Sequence, residues 1–529
     1  MSSALSQRIN KLQQSDDHRL LRDVNRGIEK ESLRVQSDGN IAQTAHPAAF
    51  GSALANPHIT TDFSEALLEF ITPVCQSVDE VLTWLREIHQ FSYAGLNGAG
   101  ATAASRETLW AASMPCILPD DAGIPVARYG SSNIGQMKTA YRLGLGERYG
   151  RAMQTIAGVH YNFSFSEAFW AAYQQQCSAT GSLQDFKTEQ YFHLIRNFRR
   201  YSWLLVYLFG ASPALCQTFL GHDHHRLSRR GKGTLFSQQG TSLRMGDLGY
   251  QSSEQESLYV CYNSLDEYAA TLSGALTQSI PNYQRIGTHR DGQRIQLSTS
   301  LLQIENEFYS SVRPKRVAHS GEPPLTALME RGVEYIEVRC LDVNPYLPMG
   351  IDAEQIRFID AFLLFCLLED SPPIPMEECK AIGIDNKTVV NNGRSADAQV
   401  HFAGQLITVT KAAKELMSRI EACSGLFDQA KDSSHFSTAW RSQFAKVIGE
   451  QALPSAQVLM DLEDFDESYF KFAMHKSRTH AQNFADDPLS SEREQYFNEC
   501  ARQSVEKQAA IEAADNTDFE TFLANYYAQ

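Results

Sequence analysis

The stretch Arg26-Gly27-Ile28-Glu29-Lys30-Glu31-Ser32-Leu33-Arg34-Val35 constrains the fold more than any other part of the chain. Its two carboxylates lie two residues apart, and residues i and i+2 of an extended strand point to the same face. Glu29 and Glu31 would then stand side by side and repel, unless positive charge lies between or above them. A divalent cation with a preference for hard oxygen ligands is the usual resolution. Taken alone, the stretch reads more simply as a solvated edge strand with an acidic polar face. Only recurrence of the pattern shifts that balance.

The pattern recurs. Thr60-Thr61-Asp62-Phe63-Ser64-Glu65-Ala66-Leu67-Leu68-Glu69-Phe70-Ile71-Thr72-Pro73 places Glu65, Leu67 and Glu69 on one face if extended, or Glu65 and Glu69 together if helical. Both readings stay open on local grounds, with Phe70-Ile71-Thr72 and Pro73 favouring a strand. Thr155 to Phe165 alternates Val159, Tyr161, Phe163 and Phe165 against His160, Asn162 and Ser164. Leu301 to Tyr309 is expected to be a strand carrying Glu305 and Glu307, followed by the basic run Arg313-Pro314-Lys315-Arg316. Val333 to Asp342 alternates with Tyr335, Glu337 and Arg339 on one face. A carboxylate and a guanidinium on one strand face suit joint binding of a metal and a phosphate, and an internal salt bridge competes with that reading.

Around these strands the chain reads as helix and loop. Helices are expected over residues 3–22, Val78 to Tyr93, Leu183 to Leu220, and Ala353 to Leu368 with Asp352 as cap. Residues 370–400 read as loop and 408–529 as successive amphipathic helices. Gly95-Leu96-Asn97-Gly98-Ala99-Gly100 follows a helix and lacks a Lys-Ser/Thr behind it, so it is not a phosphate loop. His222-Asp223-His224-His225 sits in a basic stretch and reads as an exposed loop. Arg244, with an Asp and a Tyr nearby in Thr241 to Tyr250, could hold an amino-acid carboxylate through its planar fork, or could form a structural Arg–Asp pair.

Composition narrows the function. With 47 Lys plus Arg against 62 Asp plus Glu, the net charge of −15 disfavours a nucleic-acid footprint. Ten scattered cysteines without CxxC or zinc spacing read as thiols in a reducing compartment. The N-terminus lacks the apolar core of a signal peptide, and the most apolar run, from Trp203, is broken by Gly210 and Pro213. A cytoplasmic protein without membrane or nucleic-acid partners is expected.

Acidic strand faces at Glu29/Glu31, Asp62/Glu69, Glu305/Glu307 and Glu337, with His160 on a further polar strand, suggest a sheet that gathers carboxylates around more than one divalent ion. Mg²⁺ keeps few protein ligands and completes its shell with substrate phosphates, which points to a nucleoside triphosphate. Arg339 would take up charge on a transferring phosphoryl group. Two-metal hydrolysis by the same carboxylates is the rival from another reaction class.

The runs Arg26 to Glu31, Ile59 to Phe63, Glu69 to Pro73, Gly158-Val159-His160-Tyr161-Asn162-Phe163 and Glu334-Tyr335-Ile336-Glu337-Val338-Arg339 closely resemble the proteobacterial type of glutamate–cysteine ligase. Ser113 to Cys116, Tyr207 to Pro213 and Gln303-Ile304-Glu305-Asn306-Glu307 agree as well. The resemblance covers nearly the whole chain and weakens after about residue 370.

It implies an α+β fold: a glutamine-synthetase-like curved, mainly antiparallel sheet forming a funnel-shaped active site, with helices outside and a helical C-terminal region. Residues 1–529 would form one integrated domain, with a sheet-centred core over 1–370 and mostly helices over 371–529. It also implies ATP-dependent joining of L-glutamate to L-cysteine, the first step of glutathione synthesis, in a monomer, with glutathione a candidate feedback inhibitor. Glu29, Glu31, Asp62, Glu69 and Glu337 would handle two or three Mg²⁺ ions (or Mn²⁺). His160 and Arg339 would lie at the ATP phosphates, with Arg339 and Glu337 catalytic, and Tyr141, Ile156, Arg244, Tyr250 and Tyr309 around the amino-acid substrates. The basic segment 222–233 departs most from the family pattern.

Overall fold

Strand β1 (Asn25–Gln36) carries the Glu29/Glu31 pair and lies inside the main sheet. In the computed structural model, which describes residues 3–97, 106–115, 117–220, 226–248, 254–255 and 258–529, it pairs on both sides. The other strands are β2 (Ile59–Thr61), β3 (Leu67–Ile71), β4 (Glu107–Leu109), β5 (Gly158–Ser164), β6 (Val312–Lys315) and β7 (Tyr335–Asp342). Their order is β6-β7-β5-β1-β3-β2, with β4 on the end of β1, and every pairing is antiparallel.

The register settles which side chains share the upper face. Glu31 stands directly opposite Glu69, Glu29 opposite His160, and Glu337 between Arg313 and Asn162. Like charges placed directly opposite are destabilising, so the Glu31–Glu69 pairing is a cost that something else must offset. Between β7 and β5 the register shifts by one extra residue after Val338. Such a bulge re-aims side chains near active sites. Here it turns Asp342, which strict alternation would send to the far face from Glu337, back toward the upper side, opposite Gly158.

The underside of β1 is also charged, and each of its cations has a buried partner. Buried Arg26 donates from two nitrogens to Asp360, at 2.9 and 2.6 Å, and the Tyr161 hydroxyl donates to the same carboxylate at 2.6 Å. Arg34 meets Glu107 at 2.7 Å. Lys30 lies 2.7 Å from His89 Nε2, and burial pulls its ammonium down to about 7.

Helices surround the sheet: α1 (Ser3–Gln14), α2 (Val78–Leu96), α3 (Asn133–Tyr149), α4 (Leu183–Tyr201), α5 (Ala353–Leu368), α6 (Met376–Asn392) and α7 (Val409–Lys431). α2 packs on β1 and β3, whereas α3 borders the charged face. Asp352 caps α5 by accepting the Gln355 N–H, as its position suggested. α5 is almost wholly buried because α2, α4, α7 and the helix His435–Val447 all pack on it. The C-terminal helices return to the sheet-bearing half. Ser504 accepts the Ser52 N–H at 2.8 Å, and the Tyr527 hydroxyl donates to the Gln303 carbonyl at 2.8 Å. One apolar cluster runs from Leu5 to Phe497. The fold is mixed α/β with a mainly antiparallel sheet and a helical C-terminus, as expected.

Several local expectations fail. The helix expected over 3–22 stops at Gln14, where Asp16 turns left-handed (φ 64°) and a 3₁₀ turn follows. Leu301 to Tyr309 is not a strand, because Glu305–Glu307 forms a 3₁₀ turn. The helical stretch from Leu183 ends at Phe209, and Ala214–Cys216 is a strand. Residues 370–400 contain helix α6: Pro375 precedes it, and Ile382, Asp385, Val389 and Val390 give it a buried stripe that the Asn and Asp residues hid. Cys216 is disulfide-bonded rather than a thiol, and single scattered cysteines give no pairing signal in sequence. His222-Asp223-His224-His225 lies outside the described residues. Among the described residues, no helix is long and apolar enough to cross a membrane.

The buried Arg26–Asp360–Tyr161 junction joins β1 and β5 to α5, so Asp360→Ala leaves an uncompensated buried guanidinium. We expect a loss of about 3–5 kcal/mol in unfolding free energy by denaturant titration; a loss below about 1 kcal/mol would contradict this account.

Candidate active site

The upper face gathers most of the expected acidic residues. β1 supplies Glu29 and Glu31, β3 supplies Glu69, Asp62 follows β2 directly, and β7 supplies Glu337 and Arg339. His160, on β5, sits at their centre. Its Nδ1 is 3.5 Å from Glu29 and 3.4 Å from Glu337, and its Nε2 is 3.8 Å from Glu31. Ligand atoms of Glu29, Glu69 and His160 all lie within 4.8 Å of one another, close enough to hold one cation. Asn162, one step along the same face of β5, donates to Glu29 at 2.9 Å and fixes its carboxylate.

A gradient of charge crosses this floor. On the β6–β7 flank, Arg339 donates to Glu337 at 2.8 Å, Lys315 lies 3.5 Å from Glu337 Oε2, and Arg313 is the cross-strand neighbour of Glu337. These cations hold Glu337 well below the usual carboxylate range, although burial pushes it the other way. Burial likewise raises Glu29, and the His160 hydrogen bond overcomes it. Toward β3 the balance reverses. Burial and Asp62 push Glu31 up to about 8, against the opposing pull of Arg244, Arg339 and the Gly158 N–H. Burial with Glu29, Asp62 and Glu31 raises Glu69 well above its ordinary value. His160 is pushed down by burial and by Arg339, so its imidazole is neutral and able to ligate.

Beside the floor lies a cavity of about 100 Å³, lined by Glu31, Asp62, His160, Arg244, Arg339, Tyr141 and Tyr309, with Arg142, Tyr149, Gln154, Glu307 and Arg313. Arg244 reaches it from the 3₁₀ turn Leu243–Met245, and the Tyr309 hydroxyl donates to the Met245 sulfur at 2.9 Å. Ile156 is fully buried just before β5 and is not among the lining residues. Tyr250 lies outside the described residues. Glu29, Glu69 and Glu337 do not line this cavity; Glu29 and Glu337 flank His160 Nδ1, and Glu69 stands opposite Glu31.

The acid expected beside Arg244 in its own loop, Asp247, instead lies 3.5 Å from Lys387; Asp342 lies 4.0 Å from Arg244, and Glu31 shares the cavity with it. Glu305 and Glu307 do not join the cation cluster. Glu307 is bound by Arg148 at 3.0 Å and by the Tyr149 hydroxyl at 2.5 Å, and Glu305 accepts the Leu325 N–H. Sequence reasoning passed over Arg142 and Arg313 as site residues. The signal for Arg313 was present, since it opens the basic run that pairs with the Glu337 strand.

The sheet floor offers carboxylate oxygens and a neutral imidazole as ligands for a cation, bordered by guanidinium donors for an anion. The comparisons specify the family. The family model for glutamate–cysteine ligase matches residues 9–389. The glutamate–cysteine ligase of Pseudomonas putida is 49% identical over 509 residues, 96% of this chain and 95% of that protein. That of Alcanivorax borkumensis is 47% identical over 528 residues, covering 99% of each. The crystal structure of glutamate–cysteine ligase from Francisella tularensis in complex with AMP superimposes with a TM-score of 0.89 at 35% identity, over 96% of this chain and 98% of that one. A bifunctional glutathione synthetase from Pasteurella multocida shares the fold at TM-score 0.70 and 22% identity, over 98% of this chain and 58% of that one. The chain belongs to the glutamate–cysteine ligase family.

The raised Glu31 carboxyl gives a pH signature. Its folded value of about 8 lies above the ordinary 4.5, so its contribution to stability in the metal-free protein is complete below 4.5 and is lost as pH rises through about 8. A divalent cation binds the ionised form. The rise in Tm on adding Mg²⁺ should therefore grow between pH 6 and pH 8; an increment independent of pH would remove Glu31 from the cation set.

Proposed function

We propose that this chain is an ATP-dependent glutamate–cysteine ligase. The observation that carries the reading is the carboxylate and imidazole floor bordered by Arg339, Lys315 and Arg313, in a chain of this family. The γ-carboxylate oxygen of glutamate attacks the γ-phosphorus of ATP and ADP leaves. The amine of cysteine then attacks the acyl carbon, phosphate departs, and the amine's proton is released. We read the sheet as a glutamine-synthetase-like funnel, with catalysis on its charged face.

The side chains present suit divalent cations. They offer hard oxygens and one neutral nitrogen, and Glu337 Oε2 is buried without a hydrogen-bond partner. Glu29, Glu31, Asp62, Glu69, Glu337 and His160 would hold Mg²⁺, which when bound neutralises phosphate oxygens. This moves His160 from the phosphate contact expected of it to the ligand set, because its ring nitrogens point at three carboxylates. Arg339 is kept protonated by Glu337 and Glu31, and it stabilises charge on the phosphoryl group in transfer and on the tetrahedral intermediate that follows. Glu337 orients that guanidinium through the 2.8 Å hydrogen bond. Arg244 binds the carboxylate of an amino-acid substrate through its fork, and Tyr141 and Tyr309 close the wall around it. Ile156, fully buried just before β5, would act without lining the cavity. A monomer, glutathione feedback and a cytoplasmic setting complete the reading.

ADP release by the purified protein should require both glutamate and cysteine. ATP turnover with neither amino acid would instead mark a phosphohydrolase, and dependence on glutamate with another amine would reassign the acceptor. Glu337→Gln should lower kcat by about two orders of magnitude or more with Tm little changed; preserved turnover with a large fall in Tm would make Glu337 a structural residue.

A further inference from the structure

Two residues without a role in this chemistry lie under Arg244. Gly158 opens β5, Asp342 ends β7, and they face each other across the ladder. A Cβ built on Gly158 would stand 2.0 Å from a terminal nitrogen of Arg244 and 2.5 Å from its Cζ. The guanidinium therefore occupies the space that any other residue would fill with its side chain. The same glycine donates its N–H to Glu31 at 2.5 Å, so its backbone is held from the floor side.

Asp342 is 1% exposed and fully engaged. It accepts the Ala211 N–H at 2.8 Å, the Ser212 hydroxyl at 2.7 Å and the Ser242 hydroxyl at 2.9 Å. Ser242 in turn caps the turn Leu243–Met245 by accepting the Met245 N–H, and the Leu243 N–H donates to the Ser212 carbonyl at 2.7 Å. One carboxylate thus ties the end of β7 to the turn that presents Arg244. It also lies 4.0 Å from Arg244, whose other terminal nitrogen donates to the Arg339 carbonyl at 3.0 Å. Asp342 reaches this position only because the extra residue after Val338 reverses the alternation of β7.

We infer that Gly158 and Asp342 are a positioning pair for Arg244: the glycine leaves the bed on which the guanidinium lies, and the carboxylate holds its turn and inner edge. This rests on the reading of Arg244 as the anchor for an amino-acid carboxylate. A bidentate fork is effective only when both N–H groups are aimed, and a flexible arginine achieves that only if its remaining contacts are preorganised. The pair makes arginine's placement independent of substrate. It also makes glycine at 158 a requirement of space rather than of backbone torsion.

A double-mutant cycle tests the pair, using the full-length enzyme and KM for glutamate, cysteine and ATP. Arg244→Ala alone tests the underlying reading: it should raise KM for one amino acid, and unchanged values for both would overturn the reading and the pair together. Given that rise, Gly158→Ala should raise KM for the same amino acid by about tenfold or more while KM for ATP stays within about twofold. In the Arg244→Ala background the glycine substitution should add little, because the two act through one contact. Asp342→Asn should affect the same substrate, and Ser242→Ala should do so more weakly. Full additivity with Arg244→Ala, an equal rise in all three KM values, or no change would overturn the inference while leaving Arg244 as the anchor. Should Asp342→Asn fail to fold, Gly158→Ala, with its Tm measured in parallel, decides the matter.

Discussion

Repulsion among carboxylates on one buried sheet face is the constraint around which this protein is arranged. Glu31 and Glu69 are direct cross-strand neighbours, Glu29 lies beside them, and Asp62 completes the group. An antiparallel ladder would ordinarily avoid such a pairing. The protein's own cations do not cancel it: Arg339, Lys315 and Arg313 cluster at Glu337, and the pull of Arg244 on Glu31 and of Arg142 on Glu69 leaves both carboxyls raised. The result is a floor that is ionised at one end and reluctant to ionise at the other. Its deficit of positive charge is the kind that a bound divalent cation relieves.

Such a floor needs a stiff support, and the underside of β1 provides it through charge as well as apolar packing. Arg26, Lys30 and Arg34 alternate with the acidic residues and each finds a buried partner from another element. Removing one partner leaves a buried cation uncompensated, so the strand has one well-defined position relative to α2 and α5. The helices that follow residue 370 extend this support, with α7 and His435–Val447 packing on α5 from behind. Catalytic geometry tolerates little displacement, and the burial of this layer is how the geometry is kept.

Much of this could be read from spacing. β5 and β7 were legible because each alternates apolar with charged or polar residues, and β1 because carboxylates two residues apart share a face in a strand. The Thr60–Pro73 stretch was ambiguous locally, and pairing with β1 resolved it into β2, a turn and β3. Leu301 to Tyr309 shows the limit of the same logic: acids two apart in sequence sit on a 3₁₀ turn, each with its own donors. Helix α6 was missed because its polar residues resemble those of a loop, while its buried stripe faces elements distant in sequence.

The sequence by itself determined that charged and polar strand faces carry Glu29, Glu31, His160 and Glu337, because alternation and like-charge repulsion are local properties. Its resemblance to a family supplied the reaction. Only the tertiary structure decided which acids converge, that His160 stands among three of them, and that Asp342 rather than Asp247 lies near Arg244. Those outcomes depend on strand order, register and a single inserted residue in β7. They are set by how distant segments pair, and no window of the chain contains that information.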